Sequence, residues 1–254
     1  NCNYDGKKLT SIVNKDDSGE KTVYTYDGNK VVKIEEFEGG VVMEKIVIGY
    51  NGEKIDFIET LTNEEEYEFK KKNKVMAKTA AKNAGYVSSR ERKEFKYNED
   101  QTISVTQYIY DETSATFYNL NEDTQTIIKL DPNNQQSELT STTKINDSEN
   151  FTATIKFSYD KKNNPFRNVI GVNSLLGFEY GKNNITSIKI NSNLSEIIGS
   201  LTEEEKNFVN FMSSLLGIEV EAVYNYNSNN FPENANLKVK MGSSLNTVTQ
   251  KFEY

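Results

Sequence analysis

The 254-residue chain contains no histidine, no tryptophan, one cysteine and three prolines. Without histidine there is no Ser-His-Asp triad, no Cys-His pair, no imidazole metal ligand and no HExxH zinc site. A single cysteine excludes a four-cysteine zinc site, an iron–sulfur cluster and an intrachain disulfide. No motif asks for a cofactor or a metal. Catalysis is left to carboxylate, Lys, Tyr or Ser/Thr side chains. Paired carboxylates can hydrolyse glycosides without histidine. The sequence singles out no pair among Glu35, Glu36, Glu44, Glu59, Glu64, Asp111, Glu122 and Asp123, so a non-enzymatic protein is the leading expectation.

Positive charge is scarce too: 30 Lys and Arg against 38 Asp and Glu give a net charge of −8. A nucleic-acid partner needs a basic footprint. The basic runs Lys70-Lys71-Lys72 and Arg90, Arg92, Lys93 sit beside Glu64, Glu65, Glu66, Glu91 and Glu94, and read as solvated strand faces. No window approaches the roughly 18 apolar residues of a membrane helix, and no signal peptide is visible at Asn1. Membrane attachment is left to a lipid anchor on Cys2, which stands near where the modified cysteine of a mature bacterial lipoprotein would stand. Asn1 before it is not the usual small residue, and an ordinary free thiol is the other reading.

What is abundant is the chemistry of turns and strands. Asparagine doublets occur at Asn133-Asn134, Asn163-Asn164, Asn183-Asn184 and Asn229-Asn230, and Asn tolerates positive φ in tight turns. Tyr4-Asp5-Gly6-Lys7-Lys8-Leu9 recurs as Tyr26-Asp27-Gly28-Asn29-Lys30-Val31 and as Tyr50-Asn51-Gly52-Glu53-Lys54-Ile55, at steps of 22 and 24 residues. Asp-Gly and Asn-Gly suit a tight hairpin turn with positive φ. Asp17-Ser18-Gly19 and Glu38-Gly39-Gly40 read as the opposite turns, so one repeat is a pair of antiparallel strands. Asn14 to Gly19 imitates the start of an EF-hand loop, but Thr25 occupies the position of its bidentate Glu, and a hairpin turn is the better reading.

Aromatic-x-aromatic pairs mark the strand ends at Tyr24/Tyr26, Tyr67/Phe69, Phe95/Tyr97, Tyr108/Tyr110, Phe157/Tyr159, Phe178/Tyr180, Tyr224/Tyr226 and Phe252/Tyr254. Period-two spacing puts both rings of a pair on one face. These rows either pack as cross-strand ladders or leave some rings exposed as a stacking platform. The candidate platform is Tyr24, Tyr26, Tyr97, Tyr108, Tyr110, Tyr159 and Tyr180.

Two stretches break the β rhythm. Around residues 202–216, Thr202 and Glu205 form a capping box, and Phe208, Phe211, Met212, Leu215 and Leu216 share one helical face before Gly217. This predicts an amphipathic helix packed on the sheet or plugging it, with a shorter helical turn at Leu194 to Gly199. Residues 163–177, with Pro165 and the apolar Val169-Ile170-Gly171-Val172, predict a loop or short helix folded back on the sheet.

The repeated Tyr-Asp-Gly-x-Lys motif, with Tyr159-Asp160-Lys161-Lys162-Asn163-Asn164, resembles the YD-type repeats of bacterial cell-surface proteins. The chain is similar to uncharacterised secreted lipoproteins of Bacteroidetes that carry them. That resemblance implies export to the periplasm or outer-membrane surface, and it transfers no catalytic residues. The expectation is one all-β domain over residues 1–254 with a helical insertion at about 194–217. It would be an antiparallel meander of hairpins whose sheet curls into a half-barrel or barrel. A closed lipid-facing porin is disfavoured, because the charged strands offer no continuous apolar band. The expected function is a monomeric envelope module that binds a glycan, peptide or envelope protein. The alternatives are a structural spacer and a carboxylate-dependent glycan hydrolase.

Overall fold

The structure is a computed structural model that describes residues 1–16, 19–62, 89–111, 114–119, 122–172, 175–176, 181–199, 201–202, 218–241 and 244–251. Among these, sixteen strands form one antiparallel meander. The first nine are β1 (Cys2–Asp5), β2 (Lys8–Val13), β3 (Lys21–Asp27), β4 (Lys30–Glu38), β5 (Val41–Asn51), β6 (Lys54–Thr62), β7 (Ser89–Tyr97), β8 (Thr102–Asp111) and β9 (Thr116–Asn119). Then follow β10 (Thr124–Leu130), β11 (Gln136–Lys144), β12 (Asn150–Tyr159), β13 (Ile185–Ser192), β14 (Ile218–Tyr226), β15 (Pro232–Met241) and β16 (Ser244–Lys251). Each pairs with its neighbours in sequence, except that β9 pairs only with β8, and β8 passes on to β10. Among the described residues β1 and β16 are the two edges, so the sheet is not closed into a barrel. A four-residue helix, α1 (Leu194–Ile197), stands where the short helical turn was expected. The amphipathic helix expected near 202–216 lies, from residue 203 on, outside the described residues. No helix among the described residues is long and apolar enough to cross a membrane.

The repeat turns work through glycine alone. Asp5 pairs with Lys8, Asp27 with Lys30 and Asn51 with Lys54. In each two-residue loop only the first residue has positive φ: Gly6 at 59°, Gly28 at 56° and Gly52 at 60°. That φ pattern is the II′ one, in which glycine takes the first central position. The preceding Asp or Asn ends the strand and carries no positive φ. Gly39 and Gly40 form the opposite turn between β4 and β5, both with positive φ.

A bulge follows each of these turns. The register shifts at Asn3/Tyr4, Thr25/Tyr26, Gly49/Tyr50, Ser158/Tyr159 and Asn225/Tyr226. Tyr24 faces Ile34, but Tyr26 faces Val31, so the partner strand carries one extra residue, Val32. A bulge of this kind places two residues against one. Here it brings residues three apart onto the same face: Val31 with Ile34, Ile55 with Ile58, Pro232 with Ala235. Spacing of i, i+3, which in a straight strand would scatter across both faces, thereby falls on one face, where Val31, Ile34, Ile55, Pro232 and Ala235 are buried and Ile58 is half-buried.

Backbone contacts group the chain into two compact units. In the first (residues 1–95, 106–120 and 169–175), Leu9, Val31 and Ile55 occupy the same place in the three repeats and are each 2% exposed or less. Burying such a side chain is worth about 1.5–3 kcal/mol. The expected folded-back loop is present as residues 169–172 and 175. Val169, Val172 and Leu175 are buried, and the Ile170 N–H donates to the Lys7 carbonyl at 2.9 Å. Gly171 is required there: with φ at +81°, a Cβ would lie 2.8 Å from the Asn29 carbonyl oxygen and 2.9 Å from the Tyr26 ring.

In the second unit (residues 96–105, 121–168 and 176–254), Ile103, Ile128, Phe151, Phe157, Ala222 and Ala235 are buried. The α1 helix lays Ile197 with Leu201 against Phe151. Asn193 pins its start, accepting from the Thr152 N–H and donating to the Asn150 carbonyl. The opposite face of β10–β12 is polar. Thr140 meets Thr154 at 3.3 Å, Thr142 meets Thr152 at 3.2 Å, and Glu138 lies between Lys129 (2.7 Å) and Lys156 (3.6 Å). One wet face and one apolar face fit a chain with only 35% hydrophobic residues.

Candidate functional site

The tyrosine rows are tied to the backbone. The Tyr26 hydroxyl donates to the Leu9 carbonyl at 3.0 Å, and Tyr50 donates to Val31 at 2.8 Å. In the second unit Tyr159 donates to Gln136 at 2.6 Å and Tyr224 to Ile185 at 2.9 Å. Each acceptor residue faces the strand end of the preceding hairpin across its bulge, where ladder bonding is disrupted. The repeat lysine completes the stitch. Lys8 Nζ donates to the Gly28 carbonyl at 2.6 Å and lies 5.4 Å from the Tyr26 ring centroid. Lys30 repeats both contacts with Gly52 (2.5 Å) and Tyr50 (5.4 Å). Burial above all raises the pKa of Tyr26, Tyr159 and Tyr224 above the ordinary phenol value, keeping these hydroxyls protonated as donors.

The other candidate tyrosines are placed as follows. Tyr24 is buried opposite Ile34. Tyr97, Tyr108 and Tyr110 are half-buried, and Tyr110 makes an edge contact with Phe117 at 5.2 Å. Tyr180 lies outside the described residues, as do Tyr67/Phe69, Phe178 and Phe252/Tyr254. Cys2 is a free, exposed thiol.

The asparagine doublets of three turns are bonded to one another. Asp160 is the hub: Oδ1 accepts from the Lys162 and Asn184 N–H groups, and Oδ2 accepts from Asn184 Nδ2 at 3.1 Å and from the Tyr226 hydroxyl. Asn163 donates to the carbonyls of Asn230 and Asn229, both at 3.0 Å. Asn184 is 2% exposed. A carboxylate with four donors is fully used, so this cluster is a clasp between turns.

A second cluster lies on β6–β9. Arg90 Nε donates to the buried Glu59 at 2.7 Å, and its guanidinium stacks 4.7 Å from the Tyr110 ring centroid. Arg92 stacks 4.0 Å from the Phe57 ring, and Phe57 covers Gly49, where a Cβ would lie 2.1 Å from the ring. Glu59 is the counter-charge of Arg90, and Glu94, 3.1 Å from Nε, is that of Arg92.

Among the described residues, an open groove of about 430 Å³ lies at the ends of β2–β5 away from the Tyr-Asp-Gly turns. Ile12, Val13, Phe37 and Met43 supply its apolar lining. Glu20, Glu36 and Glu38, all exposed, supply carboxylates, and Lys21 supplies one ammonium. A further bulge shapes it: Glu36 faces Glu44 and Phe37 faces Val42, so Met43 is inserted between them. Lys21 Nζ rests 4.7 Å from the Phe37 ring centroid. Glu44, beside Glu36, has its carboxyl pKa raised by burial first and then by the charges of Glu36 and Glu91, against the pull of Lys93. Sequence reasoning did not single out this groove. Its one signal is the alternation Glu36-Phe37-Glu38 on a strand end, which is also what a solvated strand looks like.

No protein-family model matches the chain, and no curated protein does. Among solved structures, the chain is similar to a porin-like protein from Bacteroides vulgatus, at 12% identity over 100% of this chain and 93% of that one, with a TM-score of 0.51. A porin-like protein from Bacteroides uniformis aligns over 91% of this chain and 86% of its own length at 9% identity, with a TM-score of 0.29. At such identity the likeness is one of fold: this chain is an all-β antiparallel meander similar in architecture to the Bacteroides vulgatus protein.

Proposed function

We propose that this chain is a non-enzymatic protein of the bacterial cell envelope that holds a ligand or partner in the β2–β5 groove. The observation that carries this reading is the groove itself. It is lined by the apolar Phe37, Met43, Ile12 and Val13 together with polar and charged side chains, and its volume lies within the roughly 300–1,000 Å³ of ligand sites. The fold likeness to a porin-like protein of a Bacteroides species supports an envelope setting. The hydroxyl and charge ladders on β10–β12 favour a watery environment for that face over lipid. The tyrosine stitches support a rigid frame, which is also what the spacer reading needs.

The test is a screen of the whole chain against glycan and peptide arrays, repeated with Phe37→Ala and Tyr108→Ala. Binding that Phe37→Ala removes and Tyr108→Ala leaves supports the groove. Binding lost with Tyr108→Ala alone returns the site to the tyrosines. No ligand in either array leaves the spacer reading. Release of reducing sugar from any glycan would replace the binder with the hydrolase.

A further inference from the structure

We infer that β16 pairs with β16 of a second copy of this chain, antiparallel about a two-fold axis, so that two sheets join at this edge. Among the described residues the sheet has two edges, and they differ in kind. The β1 edge is four residues long, carries a bulge at Asn3/Tyr4 and ends on Asp5. Shortness, bulges and charges are devices that stop an edge from recruiting another strand. The β16 edge lacks them: residues 244–250 are uncharged, contain no proline and run against β15 without a register shift. Residues 245–251 are all exposed. Met241 pairs with Ser244 across a two-residue connection. Such a closing pair is hydrogen-bonded, and bonding alternates along an antiparallel ladder. Asn246, Val248 and Gln250 therefore bond to β15, while the N–H and C=O groups of Leu245, Thr247 and Thr249 point out of the edge. The side chains are self-complementary in one register. Val248 faces Leu237, and Leu237 faces Ala222. This apolar row starts buried, with Ala222 7% exposed, and ends open, with Val248 54% exposed. On the axis Val248 meets its own copy in a non-hydrogen-bonded pair, where side chains come closest, and the row is completed. The same register sets Thr247 against Thr249 of the second copy, as threonines already pair between β11 and β12. Asn246 then faces Gln250 of the second copy, and Leu245 is covered by the stem of its Lys251. The two copies of Lys251 end six positions apart along the strand, about 20 Å, well beyond the screening length of about 8 Å. The monomer expected from the sequence is on this reading the dilute form.

Sedimentation equilibrium of the full chain tests this. One strand pair is a small interface, at the weak end below about 1,200 Å², so the mass should rise toward two copies across roughly 1 µM to 1 mM. Thr247→Pro removes an outward N–H and leaves the β15 ladder its bonds, as an edge proline does. It should weaken association by about tenfold or more. Val248→Lys and Val248→Glu each set like charges opposite one another at the axis, and each alone should sediment as one copy. An equimolar mixture of these two variants should regain association, because opposite charges then meet. Val223→Lys, at an exposed valine two strands in from the edge, should change nothing. Far-UV circular dichroism checks that each variant keeps its strands, and the mixing result decides the matter if Thr247→Pro does not fold. Four results overturn the inference. One is a single-copy mass at the highest concentration, and a second is association that a folded Thr247→Pro leaves unchanged. A third is a mixture of the two charged variants no heavier than either alone. The fourth is a mass that climbs past two copies, the mark of a head-to-tail contact of β16 on β1.

Discussion

Replacing Gly171 by alanine tests whether the 169–175 segment docks on the first hairpins as described. Two terms oppose the substitution. The backbone φ of +81° costs an L-residue about 1–2 kcal/mol. The added Cβ would lie 2.8 Å from the Asn29 carbonyl oxygen, 2.9 Å from Tyr26 Cε1 and 3.2 Å from Val31 Cγ2. Overpacking of this kind costs about 1–3 kcal/mol. Gly40 separates the terms, because its φ of +83° is nearly the same and nothing lies within 4 Å of its Cβ position. Gly40→Ala should therefore show the conformational cost alone. Gly199→Ala, with no positive φ and open space, should be neutral or stabilising by up to about 1 kcal/mol. Urea unfolding of the three variants gives the costs. Hydrogen exchange at the Ile170 amide, which donates to Lys7, reports docking itself. Loosening the segment by about 2 kcal/mol should speed that exchange roughly 30-fold. If Gly171→Ala costs no more than Gly40→Ala and the Ile170 amide stays protected, the close approach to Asn29 and Tyr26 is wrong.

Other expected outcomes follow from the same geometry. Tyr50→Phe removes the donor to Val31 and should cost about 0.5–1.5 kcal/mol in chemical unfolding; a neutral result would show that the stitch contributes nothing. Gly49→Ala should destabilise by about 1–3 kcal/mol because its Cβ meets the Phe57 ring. A double-mutant cycle with Phe57→Ala should recover most of that loss, and additivity would refute the contact. Glu44→Gln should stabilise the fold at neutral pH by about 0.2–1 kcal/mol, since Glu44 stands opposite Glu36. A carboxyl whose folded pKa is raised favours folding below its unfolded pKa and loses that advantage as pH rises through the folded value. The gain from Glu44→Gln should therefore shrink as pH falls through the acid range, and a gain independent of pH would sink the explanation.

Much of the architecture is legible in the chain. The Tyr-Asp-Gly-x-Lys copies, the opposite Gly39-Gly40 turn and the low apolar content imply an antiparallel meander with one wet face, and the structure has that form. The short helical turn after β13 and the folded-back Val169-Ile170-Gly171-Val172 segment are also readable, since capping preferences, prolines and glycines act over a few residues. The bulges were not readable. Leu9/Ile12, Val31/Ile34 and Ile55/Ile58 are spaced three apart, and only the bulge residue inserted within each pair (Thr10, Val32 and Asp56) explains why both members share a face.

The same distinction separates the tyrosines from the groove. Sequence alone determined that strand-end aromatics recur with the turns, because hydrophobic alternation and turn chemistry are local. It could not decide whether Tyr26 and Tyr159 were exposed or stitched, because their acceptors, Leu9 and Gln136, lie 17 and 23 residues away. Nor could it place Lys21 over Phe37 or bring Glu20 beside Glu36 and Glu38, since the pairing of β3 with β4 brings these strands together and inserts Met43 through a bulge. Turns and alternation are written in neighbouring residues. A groove is made by register between strands, and register is a property of the folded sheet.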